Sequence, residues 1–329
     1  MQSRSYNSPR PSLNLVRFGW FVAFYNVLVI VWGALVRASG SGAGCGNHWP
    51  LCNGQVIPVS PAFHTMIEFT HRMMTGGATF LVIALAIWTF RGTAKRHRAR
   101  KAALWSVFFL VTEALLGAAL VLRGWVEQNA STGRVIAQAV HFTNTLLLMA
   151  ALTLTASFLG KRRAAPSGQN SSLAAWAAII ATIVMGATGA LAALADTLFP
   201  SPSVAAGLAE DFASHAPVLV RMRWLHPAAA VIGACCVIRL VLQRVRGRRG
   251  WDRLNLVVTS LLALQFALGV ADVLLLAPAW MQLLHLLGAD LYWVALVVLA
   301  GKVIWRDSEA DGVGERRETM LGVESTAGR

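Results

Sequence analysis

Eight long apolar segments follow one another along this chain of 329 residues, separated by polar or charged stretches. Each has about 20 residues, enough to cross the hydrocarbon core of a bilayer as a helix. Only 13% of the residues are charged, against about 25% in a soluble domain. The sequence therefore predicts an all-α integral membrane protein with eight transmembrane helices. The predicted spans are 17–36, 66–90, 103–122, 136–159, 173–195, 222–242, 254–276 and 280–304.

The basic residues alternate from one predicted loop to the next. Most of the 29 Lys and Arg lie in loops on one side, and the exceptions are Arg37, Arg72, Arg123, Arg134, Arg221 and Arg223. By the positive-inside rule, this pattern predicts a multi-pass protein of the bacterial cytoplasmic (plasma) membrane with both termini cytoplasmic. Topology in the lipid bilayer thus accounts for the net charge of +14, and no nucleic-acid partner is predicted.

The predicted outer loop 37–65 contains the glycine-rich sequence SGSGAGCGNHWPLCNG. Because the outer side of a bacterial membrane is oxidising, we predict a disulfide between Cys45 and Cys52. Two unpaired thiols in a flexible loop are the alternative. A zinc site that uses His48 or His64 fits no standard ligand spacing.

The two halves of the chain match each other at four places. The paired sequences are VWGA at 31–34 with VMGA at 184–187, EFTHR at 68–72 with RWLHP at 223–227, EALLG at 113–117 with QFALG at 265–269, and QAVH at 138–141 with QLLH at 282–285. Repeats with an even number of helices run the same way through the membrane. We therefore predict two tandem four-helix bundles related by a pseudo-twofold axis along the membrane normal.

This repeat divides the chain into five predicted parts. They are a cytoplasmic tail 1–16, an N-terminal half 17–160, a cytoplasmic linker 161–172, a C-terminal half 173–305 and a second cytoplasmic tail 306–329.

Four of the eight histidines occupy the repeat matches, and each begins a helix that enters from the outer side. Ionisable groups within membrane spans are functional by default, and two imidazoles on facing helices can fill both axial positions of a haem iron. Hydrogen-bonded polar residues near helix ends are the simpler alternative, and a binuclear metal centre would need carboxylates beside each pair. The four residues are His71, His141, His226 and His285.

Glu68 is the acidic residue aligned with these histidines. It precedes His71 by three residues on the same helical face, and its counterpart in the second repeat is Arg223. This difference predicts a reacting site in the N-terminal half and a fixed cofactor in the C-terminal half. The alternative is that Glu68 pairs with Arg72, four residues on.

Other polar groups within the predicted spans have simpler interpretations. Glu113 aligns with Gln265, and we interpret both as forming hydrogen bonds between helices. Cys235 and Cys236 are interpreted as packing residues. The outer arginines are candidates for binding carboxylates such as haem propionates.

The sequence VRASGSGAGCGNHWPLCNGQVIP, followed by IEFTHR, resembles the haem A synthases, membrane enzymes that make the haem of cytochrome oxidases. The resemblance covers residues 17–305, including the eight helices, the duplicated halves and the four helix-entry histidines. The cysteine motif is highly specific, whereas the C-terminal half is recognised mainly by its histidines. Some members carry a second cysteine pair in the equivalent loop, but residues 196–221 contain no cysteine here.

The resemblance implies that the chain oxidises a peripheral methyl group of haem O to the formyl group of haem A, by successive hydroxylation and loss of water. It implies that His71 and His141 flank the substrate haem O and that Glu68 is the acid needed for the chemistry. His226 and His285 would ligate a permanent haem b, the cofactor that passes electrons. Haem O synthase is the partner expected to hand over the poorly soluble substrate.

The cysteine loop is predicted to be a rigid lid over the N-terminal haem pocket, with a thiol–disulfide redox role as the alternative. Two other functions stay open: a bis-haem cytochrome b that transfers electrons, and a haem transporter. Four histidines at one depth disfavour electron transfer across the membrane. A transporter would not require Glu68 to be chemically essential.

Overall fold

The computed structural model describes residues 11–160, 171–248 and 251–326, with side chains described as far as Trp305. These residues form ten helices and contain no strand, which confirms the all-α prediction. The helices are α1 (Leu13–Ala38), α2 (Phe63–Gly92), α3 (Arg98–Leu122), α4 (Thr132–Leu159), α5 (Ser171–Leu198), α6 (Val204–Phe212), α7 (Val218–Arg221), α8 (Leu225–Arg248), α9 (Arg253–Leu274) and α10 (Ala279–Thr326).

Eight spans in the described part of the chain are long and apolar enough to cross a membrane, as predicted, and the protein is a multi-pass membrane protein. Seven spans are single helices, and the sixth, Val218–Arg246, combines α7 and α8. Nearly all of the predicted linker, residues 161–170, lies outside the described residues. α10 continues past the predicted end of the last span, as far as Thr326.

Several helix starts are satisfied by the side chain of the preceding residue. Ser12 accepts a hydrogen bond from the N–H of Leu15, and Ser131 does so from the N–H of Arg134. These hydroxyls replace the intrahelical partner that the first turn of a helix lacks. Pro227 lies in the first turn of α8, where a missing N–H costs nothing.

The same sequence of helix pairs packs together in each half of the protein. In the first half, α1 contacts α2 and α4, and α3 contacts α4; in the second half, α5 contacts α8 and α10, and α9 contacts α10. This pattern matches the predicted repeat, whose pseudo-twofold axis stays a prediction. We use "first half" for α1–α4 and "second half" for α5–α10.

The two halves share one hydrophobic core. α4 packs against α5 and α10, and α1 also contacts α10. Trp293 on α10 is 1% exposed, and its indole N–H donates a hydrogen bond to the carbonyl of Leu146 on α4 at 2.8 Å. α4 is the most buried span, whereas α3 and α9 are among the least buried and carry the apolar outer faces expected of helices at lipid.

Candidate functional site

Each of the four predicted histidines lies against a glycine of a neighbouring helix. An ideal Cβ on Gly33 would be 3.0 Å from Cε1 of His71, and one on Gly189 would be 2.9 Å from Cε1 of His226. An ideal Cβ on Gly117 would be 4.0 Å from Cε1 of His141, and one on Gly269 would be 3.4 Å from Cε1 of His285. The rings of His71 and His226 thus occupy space that a side chain on Gly33 or Gly189 would need. Gly117 and Gly269 contact their histidines at ordinary distances, and we call these four glycines the glycine cradles.

The repeat alignment missed one of these glycines. It paired Gly33 with Gly186, but Gly186 faces Leu146 and Phe142 on α4, and Gly189 faces the histidine. The sequence signal was the short stretch GATGA, in which two glycines are three residues apart. Periodicity alone does not show which of the two turns toward α8.

His226 and His285 are neighbours in the second half. Their ring centroids are 6.3 Å apart, with an angle of 80° between the ring planes. Nδ1 of His226 is 3.1 Å from the carbonyl oxygen of Met185 on α5. A proton on Nδ1 that donates to this carbonyl leaves Nε2 as the free nitrogen, which is the arrangement of most metal-binding histidines.

His71 on α2 and His141 on α4 are the corresponding histidines of the first half. Nδ1 of His71 is buried and has no hydrogen-bond partner among the described residues. Nδ1 of His141 is likewise unbonded, with Oε1 of Glu113 3.5 Å away. Buried polar atoms are seldom left without a partner, so these nitrogens suggest a ligand or a rearrangement on binding.

The cysteine loop is bound to the start of α2. Cys45 and Cys52 form the predicted disulfide. Thr65 donates a hydrogen bond to the carbonyl of Gly44 at 2.8 Å. A Cβ on Gly44 would be 2.5 Å from the carbonyl oxygen of His64, so this close approach requires glycine.

Glu68 connects this loop to α2 and is only 3% exposed. Its Oε2 accepts a hydrogen bond from the N–H of Cys45 at 2.7 Å, and its Oε1 is paired with Arg72. Arg72 in turn donates to the carbonyls of His48 and Leu51, each at 2.7 Å. The pairing that the sequence offered as an alternative role for Glu68 is therefore present.

Arg223 occupies the matching position in the second half and holds a different loop. It donates to Asp211 on α6 at 2.7 Å and to Asp196 at the end of α5 at 3.1 Å, and Glu210 lies at 3.7 Å. Its side chain is 11% exposed. The guanidinium group thus fastens α6 over the end of the second half.

Arg37 joins the two halves at the end where the histidines lie. It donates to the carbonyl of Ala193 at 2.7 Å and to the hydroxyl of Thr197 at 2.5 Å on α5, and to Oε1 of Gln282 at 2.8 Å on α10. Its donors are used by protein partners, so among the outer arginines Arg37 is committed to the contact between halves. No cluster of three or more His, Cys, Asp or Glu suited to a metal ion occurs in the described ranges.

The comparisons with known proteins show the family of the chain. A family model described as "Cytochrome oxidase assembly protein" (COX15-CtaA) matches residues 16–297. The chain belongs to this family. The match includes all eight predicted spans except the end of the last, and it confirms the family that the cysteine and histidine motifs indicated.

Similar curated proteins carry two kinds of name. A Thermus thermophilus protein named "Protoheme IX farnesyltransferase" is 42% identical over 310 residues, covering 93% of this chain and 51% of that protein. Proteins named "Heme A synthase" match from Shouchella clausii, 40% identical over 43% of this chain and 44% of the relative, and from Bacillus licheniformis, 39% identical over 39% of each. The chain spans about half the length of the curated relatives it matches.

Proposed function

We propose that this member of the COX15-CtaA family is an oxidoreductase that converts a peripheral methyl group of haem O to the formyl group of haem A. The family description and the "Heme A synthase" relatives support this reaction. The observation that carries the proposal is the set of four imidazoles, each against a glycine, within the first three turns of α2, α4, α8 and α10.

Haem b is the proposed cofactor, and His226 and His285 would hold its iron. Their ring centroids lie 6.3 Å apart, close enough for both imidazoles to bind one metal ion. When bound, haem b supplies one-electron transfer. The carbonyl of Met185 orients His226 for ligation.

The substrate haem O is proposed to lie between His71 and His141. These side chains present buried nitrogens without protein partners, and Gly33 gives the His71 ring room against α1. Two axial contacts would fix the plane of the substrate and so select the methyl group presented to the reacting groups.

Glu68 is proposed as the acid of the reaction. It lies one helical turn from His71 and is nearly excluded from solvent, where a carboxylate acts strongly on developing positive charge. Its bonds to Cys45 and Arg72 hold it in one orientation. The same bonds tie the disulfide loop to Glu68, so that the position of this lid depends on Glu68. The experiment must therefore distinguish an acid role of Glu68 from a purely structural one.

Haem O synthase is the proposed partner. The Thermus relative is named for a farnesyltransferase, yet this chain accounts for only 51% of it. The unmatched half is therefore long enough to carry the transferase activity. Two activities joined in one chain pass a poorly soluble intermediate without releasing it, and separate proteins would achieve the same by docking.

The proposed location is the cytoplasmic membrane, with both termini in the cytoplasm. The arginines clustered in 91–101 and 239–253 support this orientation by the positive-inside rule. The disulfide is compatible with it, because the Cys45–Cys52 loop would then face the oxidising side.

The test is haem extraction and chromatography from a host that lacks haem A and co-expresses haem O synthase with this protein. We expect haem A from the wild type, and haem O or a hydroxylated intermediate from Glu68→Gln. The matched control is Glu127→Gln, which neutralises an exposed acid near the same end of the first half.

Two results would contradict the proposed reaction, and a third would contradict the role of Glu68. Haem O that persists with the wild type, while the purified protein still carries haem b, favours the cytochrome alternative. A wild type whose spectrum shows no bound haem favours the transporter alternative and removes the basis of the proposal. Haem A from Glu68→Gln at the wild-type level would assign Glu68 to the lid alone.

A further inference from the structure

Among the described residues, a carboxyl group pairs with one of the four candidate histidines in the first half and with none in the second. Glu113 on α3 places Oε1 3.5 Å from Nδ1 of His141 on α4. That nitrogen is buried and accepts or donates no hydrogen bond within the described residues. A small rotation of the ring therefore brings Nδ1 into hydrogen-bond distance of the carboxyl oxygen.

Side chains of α4 hold the carboxyl group of Glu113 in place. Nδ2 of Asn144 donates to its Oε2 at 2.6 Å, and the hydroxyl of Thr145 donates to its Oε1. Thr112 donates to Oδ1 of Asn144 at 2.7 Å, which fixes the orientation of that amide. Both carboxyl oxygens thus have a defined direction before any ligand binds.

The second half has a neutral group in the same place. Gln265 is the counterpart of Glu113. With its amide nitrogen assigned to the side of the His285 carbonyl, it donates to that carbonyl and accepts from the N–H of Ala289, each at 3.1 Å. Gly288 stands where the first half has Asn144, and its lack of a side chain lets Gln265 reach the backbone of α10. Nδ1 of the other second-half ligand, His226, faces the neutral carbonyl of Met185.

We propose that Glu113 is a positioning residue for His141. It accepts a hydrogen bond from Nδ1 when the other ring nitrogen binds the haem iron, and so makes the iron in the first half harder to reduce than that in the second. The inference rests on the proposed function, since it takes His141 as an axial ligand.

The physical reason is the donor strength of the ligand. A carboxylate partner raises the basicity of a metal-bound imidazole more than a neutral carbonyl does, and a more basic ligand stabilises the ferric state. The effect is large in a site of low dielectric. The first-half iron then becomes the better electron donor, which suits a substrate that is oxidised beside a haem b that receives electrons.

The experiment is a redox titration of the full-length protein, loaded anaerobically with haem O in detergent. The first-half signal is assigned as the one lost in His141→Ala. We expect Glu113→Gln to shift its midpoint potential upward. We expect Thr145→Val to shift it downward, because Oε1 of Glu113 loses its hydroxyl donor and becomes a stronger acceptor for Nδ1. The second-half potential stays unchanged in both variants.

The opposite signs separate this role from a structural one. Loosened packing would move both variants in the same direction, and that result, or no shift, overturns the inference. Should Glu113→Gln fail to fold, Thr145→Val alone decides it, and a rise or no change overturns it. The control Asp290→Asn removes a buried acid from α10 and leaves the first-half potential unchanged.

The proposed function and this inference fail in different ways. Wild-type protein that makes haem A, with variants that show no shift, removes only the role of Glu113. Wild-type protein that binds no haem at His141 removes both.

Discussion

Glu68 and Arg223 occupy the same repeat position with opposite charges, and each fastens the loop of its own half. Glu68 accepts from a backbone N–H beside the disulfide and pairs with Arg72, which holds loop carbonyls. Arg223 donates to Asp196 and Asp211. One half closes its end with a short covalent loop, and the other with the helix α6.

The difference teaches that the charge at this position follows the loop that it binds. A loop that presents N–H groups needs an acceptor, whereas a loop that presents carboxylates needs a cation. The change of sign between Glu68 and Arg223 therefore has a structural explanation as well as the chemical one proposed above. Variants that act on one half at a time distinguish the two.

The largest expected effect is the loss of a haem from one half only. His226→Ala and His285→Ala should each lower the haem b content severalfold, because each removes one of the two imidazoles that would hold its iron. His71→Ala, the matched variant of the first half, should retain haem b. Haem per chain, measured on purified protein by its reduced pyridine complex, checks this. Equal losses in all three variants would show that the pockets are not independent.

Removal of the cation in the second half should destabilise it strongly. Arg223→Ala leaves Asp196 and Asp211 without their partner in a setting where the arginine side chain is 11% exposed. We expect the free energy of unfolding to fall by roughly 3 kcal/mol. Thermal unfolding in detergent measures it, with the exposed Arg221→Ala as control. If the free energy of unfolding falls no more than in the control, the contacts of Arg223 with α6 and α5 do not stabilise the second half.

Loss of the disulfide should cost less and should leave the chemistry intact. The bond between Cys45 and Cys52 closes a short loop with a sequence separation of 7, and a loop of that length predicts about 2 kcal/mol of stabilisation. Cys52→Ser should lower the unfolding temperature, with turnover per folded enzyme preserved; Cys235→Ser is the control. Abolished turnover in a folded variant would support the thiol–disulfide redox alternative.

The glycines beside the histidines of α2 and α8 should tolerate a Cβ less well than those beside the histidines of α4 and α10. In Gly189→Ala the new Cβ would be 2.9 Å from Cε1 of His226, so the ring must move, and we expect about tenfold weaker haem b binding. In Gly117→Ala the corresponding distance to His141 is 4.0 Å, an ordinary contact. Haem titration of both variants compares them. Unchanged binding in Gly189→Ala would show that the second-half pocket adapts freely.

The smallest effect concerns two matched helix caps. His97 caps α3 by accepting from the N–H of Ala99, and Asp252 caps α9 by accepting from the N–H of Asn255. Burial, assisted by Arg100, lowers the pKa of His97 below its ordinary value of 6.5. Because protonated His cannot accept, its cap is complete above pH 6.5 and is lost as pH falls through the lowered pKa.

We expect His97→Asn to remove this pH dependence of stability, which is about 1 kcal/mol or less for a cap. Unfolding temperatures measured at pH 7 and at successively lower pH check it, with Asn as a cap that does not titrate. A wild type and a variant with parallel pH profiles would contradict the assignment.

Much of the site was predictable because its signals are local in sequence. The four histidines follow loops and lie within the first three turns of their helices, and the cysteines lie in a glycine-rich stretch. Gly189 and the contact between Glu113 and His141 were not predictable. The position of Gly189 depends on the rotation of α5 about its axis, and the contact of Glu113 with His141 depends on how closely α3 and α4 pack. A hydropathy pattern shows neither property.

The sequence by itself determined the eight spans, the repeat of helix pairs and the family. The physical reason is that bilayer thickness and backbone hydrogen bonding leave an apolar segment of this length few alternatives to a helix. Only the tertiary structure decided which groups the polar side chains meet. Glu68 reaches the N–H of a residue 23 positions away, and Arg37 reaches Gln282 across the contact between halves. Such long-range contacts depend on the rotation and relative depth of whole helices, which helix packing determines after each helix has formed.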